Sequence, residues 1–152
     1  MTTVSVIGDG QMGLVLADAL ATRGVQVRLW GPFTDELNRL AQTRKSPRLS
    51  GFQLSAKVHV CTNARDALTG VDAAINAIPT QFVRKVWESL CEHVPAQTPI
   101  ASVAKGIEIG SHQRPTQVIQ SVVGDTSPVC VLSGPTIATE LVKHQPALMV
   151  AS

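Results

Sequence analysis

The stretch Thr3-Val4-Ser5-Val6-Ile7-Gly8-Asp9-Gly10-Gln11-Met12-Gly13 decides the fold. A short β-branched run ends in Gly-x-Gly-x-x-Gly, and a largely apolar helical segment, Leu14 to Leu20, follows. Strand, glycine turn and helix, in that order, form the context in which this motif signals a dinucleotide site. Gly8 permits the tight turn, Gly10 lets the backbone approach a pyrophosphate, and Gly13 lets the helix pack against the strand. The free N–H groups at the helix start, Gln11 and Met12 among them, then face an anion with the helix dipole behind them.

Working outward, Gly24 stops the helix, and Val25-Gln26-Val27-Arg28-Leu29-Trp30 alternates as a second strand. The resulting β-α-β unit requires a parallel, right-handed crossover. Thr34 is placed to cap a helix running to Arg44, with Asp35 and Glu36 at its positive end. Further strands are expected at Val58–Cys61, Val71–Ile78, Pro99–Ala104, Ser127–Leu132 and Ala147–Ala151. Helices are expected at Ala64–Leu68 behind an Asn63 cap, from Thr80, near Thr116–Val123 and at Thr136–Lys143. The Thr80 helix is amphipathic, with Phe82, Val83, Val86, Trp87, Leu90 and Cys91 on one side and Arg84, Lys85, Glu88 and Glu92 on the other. The expectation is one α/β domain over residues 1–152, Rossmann-type and doubly wound, with a mainly parallel sheet and helices on both faces.

Composition narrows the function. A formal charge of +2, with scattered Lys and Arg, argues against nucleic acid as a partner. Tyrosine is absent, and three Phe and two Trp offer little for base stacking. No apolar run reaches the roughly 18 residues that span a membrane, and no signal peptide is legible. Cys61, Cys91 and Cys130 are odd in number and widely spaced, as in a reduced cytoplasmic protein. His59, His93, His112 and His144 lie apart without ligand spacing, so no metal site is expected.

Ligands of such sheets bind beyond the carboxyl ends of the strands. There the chain carries the glycine loop, Gly31-Pro32-Phe33, Pro79-Thr80, Lys105-Gly106 and Ser133-Gly134-Pro135-Thr136. Each has a plainer reading beside the functional one. Lys105 suits a solvated turn, Pro79 a strand terminator, and Ser133–Thr136 a turn with a helix cap. Trp30 and Trp87 suit the core.

The segments Trp30-Gly31, Ile78-Pro79-Thr80-Gln81, Ala104-Lys105-Gly106-Ile107-Glu108 and Leu132-Ser133-Gly134-Pro135-Thr136-Ile137-Ala138-Thr139-Glu140-Leu141 keep a characteristic order and spacing. Together they resemble the cofactor-binding domain of NAD(P)-dependent sn-glycerol-3-phosphate dehydrogenases, over about residues 3–152. The resemblance implies hydride transfer between C2 of glycerol 3-phosphate and the nicotinamide of NAD or NADP, giving dihydroxyacetone phosphate. It implies cofactor contacts at Gly8, Gly10, Gln11, Met12, Gly13, Pro32, Pro79, Lys105 and Ala138. Substrate contacts fall on Lys105, Gly134 and Thr136, with Lys105 also the electrostatic catalytic group. Full-length members are commonly homodimers, so a homodimer is implied for the full-length form. Two alternatives stand beside this reading: a non-catalytic dinucleotide-binding module, and a cofactor domain of the 6-phosphogluconate or β-hydroxyacid dehydrogenase type.

Three departures from the family pattern carry consequences. The family's general-base lysine lies in a second, mainly helical domain C-terminal to this one, so this chain alone is expected to be inactive, either a truncated piece or a stand-alone module. The ribose-binding acid expected about 20 residues past the glycine loop is missing at Gly31, Pro32 and Phe33, and no Lys or Arg stands there for a 2′-phosphate. NAD and NADP therefore stay open. Asp9 replaces a small uncharged residue; its carboxylate repels a pyrophosphate unless it turns away toward a donor.

Overall fold

The computed structural model describes residues 1–143 and 145–152, so His144 lies outside the described residues. Seven strands form one sheet: β1 (Thr3–Ile7), β2 (Gln26–Trp30), β3 (Val58–Val60), β4 (Ala73–Asn76), β5 (Ile100–Ser102), β6 (Val129–Ser133) and β7 (Val150–Ala151). Their spatial order is β3-β2-β1-β4-β5-β6-β7. All neighbours are parallel except β6 and β7, which pair antiparallel through Leu132–Ala151 and Ser133–Val150. The connecting helices are α1 (Gln11–Thr22), α2 (Thr34–Thr43), α3 (Ala64–Leu68), α4 (Thr80–Leu90), α5 (Pro115–Val123) and α6 (Ala138–Val142).

β1 is an interior strand, with all five of its residues buried and β2 and β4 on either side. From it the chain winds first toward β3 and then, from β4, toward β6. Right-handed crossovers therefore place α1 and the α4–α5 pair on opposite faces, whereas α6, which leads into antiparallel β7, comes back beside α1. α4 packs beside α5 and α1 beside α6. Edge strand β3 shows the simplest alternation, with Val58 and Val60 inward and His59 exposed.

The α4 face buries Val83, Val86, Trp87 and Leu90. Trp87 is core, as expected, and its Nε1–H donates to Asn76 Oδ1 at 2.9 Å. Asn76 Nδ2 in turn donates to Ser102 Oγ at 3.0 Å, so a polar ladder joins α4, β4 and β5 in the interior. Phe82 does not belong to this face: it is 61% exposed. One residue before Val83, it is rotated about 100° off the buried stripe, and faces the strand ends instead.

The elements expected from sequence are all present, with several boundaries corrected. β4 is shorter than Val71–Ile78 because the Asp72 carboxylate accepts the Thr3 N–H at 2.7 Å, and Pro79 turns the chain into α4. β5 stops at Ser102 and β6 starts at Val129. Asn63 caps α3 as expected, accepting the Arg65 N–H at 2.8 Å. Thr34 does not cap α2; Phe33 occupies that position and Thr34 is the first helical residue. Thr136 likewise precedes α6 by two residues, its N–H donating to Gly134 O at 2.8 Å in a tight turn. All three cysteines are free, and burial pushes the Cys61 thiol up to about 11. No described helix is long and apolar enough to cross a membrane.

Candidate functional site

The winding direction reverses between β1 and β4, and their carboxyl ends border a cleft of about 500 Å³. Its walls include Gly8, Asp9 and Gly10 from the glycine loop, Pro32 and Phe33 after β2, and Ile78, Pro79 and Phe82 at the start of α4. This is the crevice in which open α/β sheets hold ligands. A shallower depression of about 650 Å³, lined by Arg39, Thr43, Lys45 and the loop to Gln53, shares no residue with the strand ends.

Each glycine of the loop has its own physical reason. Gly8 has φ +120°, and a Cβ there would come within 2.8 Å of the Ala77 carbonyl. A Cβ on Gly13 would lie 1.8 Å from Gly8 O, so turn and helix touch backbone to backbone. Gly10 differs: a Cβ there meets nothing within 4 Å. Packing does not explain its small size, whereas a ligand lying against it would. The N–H groups of Gln11, Met12 and Gly13 precede the first helical bond, from Leu14 N–H to Gly10 O at 2.9 Å. Loop, open space and helix start fit a pyrophosphate.

Asp9 is only 6% exposed and turns aside from the helix start. Its Oδ2 accepts from Arg48 Nη1 at 2.8 Å. Arg48 also makes an ion pair with Glu36, a charge contact rather than an aligned hydrogen bond. The guanidinium lies 5.9 Å from the centre of the Phe33 ring. Burial raises the Asp9 carboxyl above its ordinary range, Arg48 opposing that shift. Gln11 Nε2 donates to Arg48 O at 2.6 Å, so two residues of the glycine loop grip the 46–51 loop. The sequence reading found no basic residue near the end of β2; Arg48 reaches it from a loop 15 positions past Phe33. The surrounding Ser46–Gly51 stretch read only as a loop, and nothing in it marked Arg48 as held in place.

Farther along the carboxyl edge of the sheet, outside the lining of the cleft, Lys105 Nζ lies 3.4 Å from both Gly134 O and Thr136 O. Lys105, Gly134 and Thr136 are thus brought together across the tips of β5 and β6. Ala138, buried, opens α6 just behind them. Gly134 also has a packing reason, since a Cβ there would lie 2.1 Å from Leu148 O. Pro79 and Pro32 line the cleft; Gln11 and Met12 open α1 directly after Gly10, which lines it.

The segment after Lys105 is clamped by α4. Thr80 Oγ1 donates to Lys105 O at 2.6 Å, and Gln81 Nε2 donates to Ile107 O at 2.9 Å. Ile109 N–H returns a bond to Gln81 Oε1 at 2.9 Å. Arg84 Nε and Nη2 donate to the two Glu108 oxygens at 3.0 and 2.7 Å, a bidentate pair. Ser111 adds a third donor to Glu108, and these contacts hold its carboxyl below the ordinary range. Periodicity had assigned Arg84 only to the solvent face of its helix.

Residues 3–152 match the family described as NAD-dependent glycerol-3-phosphate dehydrogenase N-terminus. The chain is 37% identical to glycerol-3-phosphate dehydrogenase [NAD(P)+] 2 of Mycobacterium tuberculosis (H37Rv), covering 99% of this chain and 46% of that protein. It is 37% identical over 144 residues to the Afipia carboxidovorans glycerol-3-phosphate dehydrogenase [NAD(P)+], covering 95% of this chain and 44% of the relative. Among solved structures, the Coxiella burnetii glycerol-3-phosphate dehydrogenase superposes with a TM-score of 0.90 at 26% identity, over 99% of this chain and 46% of that one. The Mycobacterium tuberculosis 3-hydroxyisobutyrate dehydrogenase shares the fold at a TM-score of 0.72 and 16% identity. The chain spans slightly under half the length of the curated relatives it matches. A glycine loop, a clamped lysine and a chain-long match of sequence and fold thus agree: this chain belongs to the NAD-dependent glycerol-3-phosphate dehydrogenase family and corresponds to its N-terminal domain.

Proposed function

We propose that the chain is the cofactor-binding half of an sn-glycerol-3-phosphate dehydrogenase, working in a reducing cytoplasmic setting. The observation that carries the reading is the convergence of Lys105 Nζ on Gly134 and Thr136 at the tips of adjacent strands, on the same carboxyl edge of the sheet as the glycine loop and its cleft. Gly8, Gly10, Gln11, Met12 and Gly13 hold the pyrophosphate through backbone N–H groups and the helix dipole. Pro32 and Pro79 line the adjoining walls, and Ala138 closes the far side. The nicotinamide, when bound, supplies or accepts the hydride.

Lys105 serves the substrate end. Its ammonium stabilises negative charge on a phosphate or on the oxygen at C2 as charge develops there. Thr80, Gln81 and the Arg84–Glu108 pair hold the following loop and so fix its position. Gly134 and Thr136 shape the pocket floor around the substrate. The general base implied by the family resemblance belongs to the part of the relatives that this chain does not span. The chain alone therefore binds cofactor without significant turnover.

Calorimetric titration with NADH tests the cofactor half of this reading. Binding is expected in the wild-type chain and is lost in Gly10→Glu, which fills the open space. The 31P resonance of glycerol 3-phosphate, followed in the presence of NAD, tests the other half. Broadening by the wild-type chain and none by Lys105→Ala is the expected result. An NADH isotherm that Gly10→Glu leaves intact contradicts the assignment.

A further inference from the structure

Resting on that cofactor reading, we propose that Asp9 replaces the missing acid of β2 as acceptor for the adenine-side ribose hydroxyls, and that the Asp9–Arg48–Glu36 cluster selects NAD(H) over NADP(H). In Rossmann folds a carboxylate at the end of the second strand receives the ribose hydroxyls. Here that place holds Gly31, with Pro32 and Phe33 beyond it. The space is not vacant. A Cβ built on Gly31 would lie 2.3 Å from Asp9 Oδ1 and 2.6 Å from its Cγ. The carboxylate has thus arrived from the tip of β1 at the position usually reached from the tip of β2. A side chain on Gly31 would push the carboxylate out of this position.

The surroundings fit an acceptor. Asp9 lines the cleft together with Gly10, Pro32, Phe33 and Arg48. Arg48 engages Oδ2, while Oδ1 lies over Gly31. A carboxylate this buried gains from each further donor, and a ribose diol supplies two. Burial raises the carboxyl above the ordinary range, with Arg48 and a backbone hydrogen bond opposing the shift.

Charge decides between the cofactors. Arg48 is the cation of the cluster, and it is held by two carboxylates, Asp9 and Glu36. One positive and two negative charges leave the cluster at −1. A 2′-phosphate brings about two further negative charges and meets repulsion at short range in a partly buried site. The 2′-hydroxyl of NAD brings a donor instead. Arg48, left alone, would attract the phosphate; its two acidic partners withdraw it from that role.

The test is calorimetric titration of the whole chain with NADH and with NADPH, for the wild type, Asp9→Ala and Glu36→Gln, with circular dichroism to verify folding. The wild type is expected to bind NADH roughly tenfold or more tightly than NADPH, the scale of one charged hydrogen bond. Asp9→Ala weakens NADH and strengthens NADPH, because Arg48 is released toward the phosphate. Glu36→Gln, at a half-buried position in the first turn of α2, shifts the NADH/NADPH affinity ratio toward NADPH; it keeps the idea testable should Asp9→Ala fail to fold. Equal wild-type affinities, or an NADH/NADPH ratio that neither substitution moves, overturn the selection. Binding of neither cofactor to the wild type overturns the underlying cofactor reading as well, which separates the two failures.

Discussion

Thr80 Oγ1 donates to the backbone carbonyl of Lys105 at 2.6 Å, across 25 positions of sequence. The first residue of α4 thereby fixes the residue that meets Gly134 and Thr136. The contact joins two of the segments that mark the family, one beginning at Ile78 and the other at Ala104. Their spacing along the chain is thus tied to a hydrogen bond in the fold.

Removing that hydroxyl with Thr80→Val keeps the side-chain volume and leaves the Lys105 carbonyl without this donor. The expected loss is about 1 kcal/mol in urea unfolding. Amide exchange over residues 105–109 should quicken more than exchange in β1, because the loop loses a tether while the sheet does not. Equal quickening in both places would mean that Thr80 acts on the fold at large.

The glycines of the first loop separate packing from binding. Gly13→Ala drives a Cβ against Gly8 O, built at 1.8 Å, and is expected to lower stability by several kcal/mol. Gly10→Ala meets no neighbouring atom within 4 Å and should leave the melting temperature nearly unchanged. Its effect belongs to NADH affinity, read by calorimetry. A destabilised Gly10→Ala with normal affinity would assign that glycine to the fold alone.

Trp87→Phe keeps most of the buried ring and deletes the Nε1–H that Asn76 Oδ1 accepts. Leaving that oxygen unpaired in the interior costs about 1–3 kcal/mol. The triple variant with Asn76→Leu and Ser102→Ala should recover part of the loss, since all three polar members of the ladder are then replaced. Denaturant unfolding of the single variants and the triple measures this coupling.

The Arg84–Glu108 pair sets one limb of the acid response. Glu108 is held below its ordinary 4.5 by Arg84 and Ser111, so the folded state binds its proton less readily than the unfolded state does. Its stabilising contribution is therefore present above the unfolded value and is lost as pH falls through the lower folded one. Asp9 has the opposite sign: its folded value is raised above 3.8, so acid relieves its burial. Arg84→Gln should flatten the fall in melting temperature below about pH 4.5 while lowering it at pH 7. An unchanged acid limb would remove Glu108 from this role.

How much was legible can be judged from particular residues. The glycine loop, α1 and β2 were readable because turn sterics and helix periodicity act within a few positions. Gly8 and Gly13 are glycine for reasons local to one turn. Phe82 was misassigned because helical spacing tolerates an apolar residue at the margin of a stripe, and only the neighbouring strand ends show what it faces. Thr34 was expected as a cap and proves the first helical residue, and Thr136 was expected to open a helix and sits in a tight turn, because hydroxyl residues serve caps, first turns and tight turns alike.

By itself the sequence determined the order of strands and helices, the glycine turn and the family segments, all of which depend on short-range sterics, hydrophobic period and motif spacing. Only the tertiary structure decided which charges meet. Arg48 reaches Asp9 across 39 positions, Arg84 reaches Glu108 across 24, and Lys105 approaches Gly134 and Thr136 across 29 and 31. It also decided that β7 runs antiparallel. A charge in a sequence has a sign but no partner; the partner is chosen when the crossovers bring the strand ends to one edge of the sheet.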